Sequence, residues 1–453
     1  MPKKNQTSSK KEPPTSVKGM RDLIGDECYA FDGFFEKASE IAMYYGFKPI
    51  ETPTLEKEEV FTSGVGQGTD IVEKEMYSLK TRGGDHLVLR PEGTASVMRS
   101  YIEHGMQTWS QPVMFYYKGP FYRHENPQHG RYRQFYGFGL EILGSSKAIA
   151  DATIIHTAVT ILHEAGLKNL TLHVNSIGDK ECRPKYVREL TNYYKKHATS
   201  LCPDCKTRLK ENPLRLLDCK NPKCIEIKEG APNSIAHLCE SCRAHFKEVL
   251  EYLEALSIPY AIDNNLVRGL DYYTRTVFEI TEDVDTPINE SIVAEGDGKN
   301  EKEKGEVSVP LSVCGGGRYD YLARNLGGKK DVPAVGMSIG VDRVFLAHGW
   351  QRQDPRIVKH PKIYFIQLGT HAKMRSLNII EILRNAKVPI AQSLAKDSLG
   401  SQLGNAERLK IPFAIIFGEK EAIDDTVIIR NMNTRSQDTV KIADLAKYIK
   451  TLK

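Results

Sequence analysis

The chain has 453 residues, too many for one hydrophobic core, so two or three domains are expected. With 40% hydrophobic and 27% charged residues it reads as soluble and globular, and no apolar run reaches the roughly 18 residues that argue for a membrane span. A net charge of +5 permits an anionic partner without demanding one.

Met1 to Ser16 is rich in Lys, Ser and Pro, lacks an apolar core and carries no arginine. It reads as a disordered basic tail rather than a secretory or transit signal. Nine cysteines without an export signal then point to a reducing cytoplasm. Phe31 to Tyr45 has helical spacing, with apolar Phe31, Phe34, Phe35, Ala38, Ile41 and Ala42, and Gly46 closes it. The two prolines in Phe47 to Thr54 predict an extended edge strand. Gly64 to Thr69 is a glycine-rich loop that matches neither phosphate-binding fingerprint, so only mobility is assigned to it. Leu87 to Arg90 is a short strand that delivers Glu92, Gly93 and Thr94, a carboxylate, a glycine and a hydroxyl suited to an ammonium group. An ordinary turn with a helix cap at Thr94 is the alternative.

Val113 to Glu141 predicts a hairpin. Its strands carry Arg123, Arg131 and Arg133 among Phe121, Tyr122, Tyr132 and Phe135, with a polar loop from Glu125 to Arg131. Guanidinium forks bind phosphates and aromatic faces stack on bases, although charged hairpins are usually plain solvated surface. A helix over Asp151 to Ala165 and a strand over Leu170 to Val174 follow. Gly178 to Ile258 changes composition to Lys/Glu-rich helices with clustered cysteines, and reads as an inserted domain. Cys202-Pro-Asp-Cys205 and Cys239-Glu-Ser-Cys242 pair as a candidate zinc tetrad, with Cys219 and Cys224 between them. Free thiols packed as small hydrophobes are the alternative.

Asn265 to Glu279 places Arg268 beside Gly269, then Asp271, Tyr272 and Tyr273 before the strand-like alternation of Thr276, Phe278 and Ile280. Arg268 reads either as a guanidinium held at a ligand or as a structural partner of Asp271. Glu282 to Pro310 is acidic and aperiodic, a surface loop. Cys314 to Asp320 brings glycine backbone close to a site, and Ala334 to Arg343 is a strand giving way to a helix that carries Arg343. After a polar linker, strand–helix alternation from Lys362 onward predicts a small α/β domain with a mixed sheet.

At these motifs the chain resembles the histidyl-tRNA synthetase family of class II aminoacyl-tRNA synthetases, from Val17 onward. Tyr45 to Pro53 is similar to class motif 1. Gly119 to Arg123 with Arg131 to Phe135 is similar to motif 2, and Gly336 to Arg343 to motif 3. Leu266 to Glu279 and Cys314 to Asp320 are similar to the two histidine-specific signatures. The resemblance implies an α+β fold: an antiparallel-sheet catalytic core over 17–177 and 261–350, a helical insertion over 178–260 and a C-terminal α/β anticodon-binding domain over 360–453. It implies a cytoplasmic homodimer built on motif 1 that uses ATP and Mg²⁺ to attach L-histidine to histidine tRNA through histidyl-adenylate. It further implies that Arg123 holds the α-phosphate and Arg343 the γ-phosphate, with Glu125 also at ATP and Phe135 stacked on adenine. Glu92, Gly93 and Thr94 would receive the ammonium group. Glu141 and Tyr273, with Tyr272 beside them, would grip the imidazole, whose neutral ring offers one donor and one acceptor. Arg268 would touch both the histidine carboxylate and the α-phosphate, and Gln128 the tRNA acceptor end. Gly137 stands where the family usually has a glutamine that touches the amino acid. A catalytically inactive regulatory relative and a zinc-based nucleic-acid binder are the rival classes. Retention of Arg123, Arg268 and Arg343 argues against the first, and the two long signatures argue against the second.

Overall fold

The structure, a computed structural model, describes residues 13–66, 68–126, 130–282, 311–395 and 398–452. Gln128, most of the predicted tail and nearly all of the acidic loop lie outside these residues. The chain divides into two compact units at Pro355/Arg356. The segment read as an inserted domain falls within the first unit, where Tyr186, Leu190, Leu216 and Leu217 join one core cluster and Phe246, Val249 and Leu253 another.

The first unit is organised by an eight-stranded sheet. Its strand order is Lys48–Pro49, Val113–Tyr122, Gln134–Leu143, Ala334–Gly340, Leu311–Arg318, Thr274–Glu282, Leu170–Ser176 and Tyr260–Ile262. The six central strands run antiparallel, and the two short outer strands pair parallel to their neighbours. The proline-bearing Lys48–Pro49 lies at the sheet edge, where a missing N–H costs least.

Side-chain alternation gives the sheet two different faces. Tyr116, Phe138, Leu140, Ile142, Val335, Met337 and Ile339 point to one side. There they pack against Phe31, Phe34 and Phe35 of the helix Asp26–Tyr44 and against the helix Ala148–Glu164. The other face carries Phe115, Tyr117, Phe121 and Val277, and it is the face on which the cleft lies. A three-stranded sheet, Leu55–Lys57, His86–Leu89 and Tyr77–Lys80, stands beside it; its His86–Leu89 strand was expected at Leu87 to Arg90, whereas its two partner strands and the helix Glu58–Gly64 were not.

Arg318 of the glycine-bearing signature is fully buried, as is Asp151 of the helix Ala148–Glu164. Its guanidinium pairs with Asp151, with Asp320 at 3.1 Å, and with the Ser145 and Lys147 carbonyls. His245, from the helix Glu240–Ala255, meets the same Asp151 carboxylate at 3.3 Å. Burial alone would raise the Asp151 pKa, but the Arg318 charge and the hydrogen bonds from His245 and Arg318 hold it down at about 2. Its folded pKa lies below the unfolded value, so its stabilising contribution is present above about pH 4 and is lost as pH falls toward 2. Arg318→Ala leaves a buried carboxylate without its cation and should destabilise the unit by about 3–5 kcal/mol, read as a drop in denaturation midpoint.

The second unit is a five-stranded mixed sheet in the order Ile390–Gln392, Ile363–Gln367, Phe413–Phe417, Thr426–Asn431 and Gln437–Lys441. The helices Thr370–Asn385 and Leu399–Arg408 follow the first and second of its strands in sequence. Ile379 and Leu383 of the former pack on one face with Phe365, Ile415 and Phe417, and Ala406 of the latter packs on the other with Tyr364, Ile366 and Ala414.

Candidate active site

The cleft on the second face of the large sheet has a floor of small residues set by register. Gly119, Gly137 and Gly340 stand abreast on three neighbouring strands, and Tyr117, Gly139, Ser338 and Gly315 form the next row. Two of these glycine-rich strands make close approaches that no side chain allows. A Cβ on Gly336 would lie 1.6 Å from Glu141 Oε2, and one on Gly315 would lie 2.2 Å from Arg268 Nη2. The floor is bare where two charged groups cross it.

Glu141 is fully buried. Its carboxyl group receives the Thr94 hydroxyl at 2.7 Å, the Tyr117 hydroxyl at 3.2 Å and the Tyr319 hydroxyl. Burial pushes its pKa up to about 8, although the Tyr319 and Thr94 hydroxyls oppose that shift. Glu92 is also buried, and its oxygens accept the backbone N–H groups of Thr94 at 2.7 Å and Ala95 at 2.8 Å, with Tyr272 Oη at 3.3 Å. Glu92, not Thr94, therefore satisfies the start of the helix Thr94–Glu103, whose N-cap is Gly93. The Thr94 hydroxyl is turned to Glu141 instead. Thr94, Tyr117, Tyr272 and Tyr273 all line the cleft.

Four arginines, Arg123, Arg131, Arg268 and Arg343, stand on the cleft wall. Arg123 donates to the Pro91 carbonyl at 2.9 Å and lies 5.3 Å over the Phe135 ring. Arg343 donates to the Gly130 and Ser312 carbonyls at 3.2 and 2.9 Å. Burial, and then the neighbouring Arg131 guanidinium, work against the Arg343 charge, with Glu125 opposing and Arg123 adding to the repulsion. Glu125 pairs with Arg131 at 3.0 Å and approaches Arg123 at 3.8 Å. Arg268 pairs with Glu279 at 3.5 Å, while its buried Nε has no hydrogen-bond partner among the described residues.

The alternative reading of Arg268 as a partner of Asp271 is corrected. Asp271 accepts from Asn212, and its backbone N–H donates to the Val65 carbonyl at 3.0 Å. Just after the glycine-rich loop Gly64 to Thr69, Asp70 is held by Arg215 at 2.5 Å and Arg208 at 3.4 Å. Arg133 points away from the cleft, to the Glu125 and Lys18 carbonyls. Gly137 lies in the floor under Phe121 but is not part of the cleft lining, and neither is Glu141, which sits beneath it.

The candidate zinc tetrad is corrected as well. Cys202 and Cys205 are not brought to Cys239 and Cys242. They gather with Cys219 and Cys224, while Cys239 and Cys242 gather with Cys182 and Asp179. The sequence reading overlooked Tyr117 and Tyr319 as partners of Glu141. Strand alternation held the signal, since Tyr117 shares a face with Phe121, and its neighbour Gly139 shares one with Glu141.

Comparison with known proteins bears on this geometry. Residues 19–195 match the family model for histidyl-tRNA synthetase, and residues 362–452 match an anticodon binding domain. A histidine–tRNA ligase of Desulforamulus reducens is 38% identical over 437 residues, 96% of this chain and 99% of that protein. The chain belongs to the histidyl-tRNA synthetase family. A histidine–tRNA ligase of Dehalococcoides mccartyi is 40% identical over 96% of this chain and 99% of its own length. The crystal structure of the apo Staphylococcus aureus histidyl-tRNA synthetase superposes with a TM-score of 0.76 at 29% identity, covering 97% of this chain and 100% of that one. In this synthetase-family fold the buried Glu141 stands behind the lining of the cleft, bonded to Thr94 and Tyr117, which line it together with the arginines.

Proposed function

We propose that the protein attaches L-histidine to histidine tRNA in two steps, forming histidyl-adenylate from ATP and then acylating the tRNA 3′ end. The observation that supports this reading is a cleft that holds an arginine cluster and, behind its Thr94 and Tyr117, a buried, hydroxyl-lined carboxyl group. Arg123, Arg131 and Arg343 repel one another there, and polyphosphate relieves that repulsion. Arg123 holds the α-phosphate, Arg343 the γ-phosphate, and Phe135 stacks on adenine. Mg²⁺ travels with ATP, held largely by phosphate oxygens. Glu125, at the arginine cluster, is the protein carboxylate placed to contribute.

Histidine enters with its imidazole toward Glu141 and Tyr273. A carboxylate offers about four acceptor sites, and three hydroxyls fill three of them, which leaves one for an imidazole N–H. Its ammonium group lies against Glu92 and Tyr272, and its carboxylate against Arg268. The chemistry asks for positioning and charge stabilisation rather than covalent catalysis, and two fixed guanidinium groups supply that at the α-phosphate.

The loop around Gln128 reads the tRNA acceptor end, and the second unit reads the anticodon. The protein works in the cytoplasm as a homodimer through the sheet edge at Lys48–Pro49, next to which Met43 and Tyr44 stand exposed. Deleting residues 360–453 tests the division of labour. Adenylate formation should persist, while tRNA charging falls sharply and loses much of its salt dependence. Equal loss in both assays would count against it.

A further inference from the structure

Cys202 and Cys205 open the helix Pro203–Glu211, Cys219 follows the turn Pro213–Asp218 and Cys224 lies in the helix Pro222–Glu229, yet their sulfur atoms all lie within 4.8 Å of one another. We propose that these four cysteines form a structural zinc site that ties the helical segment to the wall of the active site. A zinc ion bound by four thiolates at about 2.3 Å places the sulfurs at tetrahedral edges of about 3.8 Å. Cys202 Sγ and Cys219 Sγ are 3.8 Å apart. That is nearly twice the roughly 2.05 Å of a disulfide, and all four cysteines are free.

The surrounding backbone is arranged for thiolates. Cys202 is the N-cap of the helix Pro203–Glu211, and the Cys205 N–H points to its sulfur at 3.4 Å. The Cys202 N–H points to Cys224 Sγ at 3.4 Å, and the Asn221 N–H to Cys219 Sγ at 3.5 Å. Three sulfurs thus face main-chain donors, which stabilise the negative charge a metal-bound thiolate carries. Thiols packed only as small hydrophobes need neither this convergence nor these donors. The C-x₂-C and C-x₄-C pairs are separated by 13 residues, a spacing that lets one ion close the base of the intervening loop.

That stretch braces the active-site wall. Between Cys205 and Cys219 it carries Arg208 and Arg215, which hold Asp70, and Asn212, which holds Asp271. Arg215 also reaches the Gly269 carbonyl at 3.4 Å, one residue from Arg268. A metal at its base keeps this brace in register. The second group, Asp179, Cys182, Cys239 and Cys242, differs in kind. Its Asp179 already pairs with Arg275 at 3.3 Å and accepts the Glu181 N–H at 3.0 Å.

The test is metal analysis of the full chain, purified without chelator after growth with added zinc. Cys219→Ser and Cys224→Ser should each lose about one equivalent of zinc relative to the parent protein, while Cys239→Ser keeps that equivalent. Wild-type protein with no tightly held zinc, or Cys219→Ser protein with undiminished zinc, overturns the proposal. If the serine variants do not fold, cobalt substitution in the Cys239→Ser background decides it. Intense tetrahedral d–d bands with thiolate-to-cobalt charge transfer support the site, and weak octahedral absorption or none overturns it.

Discussion

Replacing Arg268 by histidine or alanine should lower the rate of adenylate formation by at least about 10²–10³-fold, the usual effect of removing one preorganised charge donor at a reacting centre. Transfer from preformed histidyl-adenylate to tRNA should fall much less. The proposed role needs a planar, permanently charged fork that touches the histidine carboxylate and the α-phosphate together, which lysine cannot reproduce. The site is shaped for such a fork. Gly315 leaves the guanidinium room, Glu279 sets its position at 3.5 Å, and its buried Nε has no hydrogen-bond partner among the described residues. A purely structural Arg268 would act through Glu279 and predicts a lower melting temperature with similar damage to both half-reactions. Rates of the two half-reactions and the melting temperature of Arg268→His separate these roles. A folded variant with normal pyrophosphate exchange would remove Arg268 from the chemistry.

Glu141→Gln should produce two effects of opposite sign. Histidine activation should drop by about 10²–10³-fold in kcat/KM with ATP binding little changed, because the imidazole loses its ionisable carboxyl partner. The ligand-free protein should become more stable. Burial lifts the Glu141 pKa from 4.5 to about 8, so the unfolded state ionises first as pH rises. The cost to folding grows from about pH 4.5 and is complete above pH 8, where it approaches roughly 5 kcal/mol. Glutamine removes that cost, so its melting temperature should exceed the parent's at pH 8 and match it more closely near pH 5. Ionisation of Glu141 also makes it a better acceptor for the imidazole N–H. Histidine affinity should therefore rise between pH 7 and 9 in the parent protein relative to Glu141→Gln, which controls for titration of the ligand itself. A variant that melts lower and still activates histidine would make Glu141 a structural residue.

Much of this arrangement is legible locally. Alternation along Val113–Tyr122 and Gln134–Leu143 separates the helix-facing aromatics from the cleft-facing ones, and the hairpin that carries Arg123 and Phe135 follows from it. The two signatures around Arg268 and Cys314 are dense enough to identify the family. What the sequence hides is which distant residues meet. Arg318 looks like an ordinary member of a glycine-rich turn, yet it is buried against Asp151, 167 residues away. Glycine is a poor strand former, so the run Gly315 to Gly317 does not announce a central strand. It is one because the side chains of Arg268, Phe278 and Tyr273 occupy the space that glycine leaves. The cysteines show the same limit. Two C-x₂-C pairs suggest each other by their likeness, but pairing is set by which turns the helices bring together, and here Cys202 and Cys205 find Cys219 and Cys224.

The most direct test of the assigned chemistry is ATP–pyrophosphate exchange measured with each standard amino acid in turn. Histidine alone should support exchange, it should do so without tRNA, and Arg268→His should abolish it. Exchange driven by a different amino acid, or none with any of them from folded protein, would contradict the assignment.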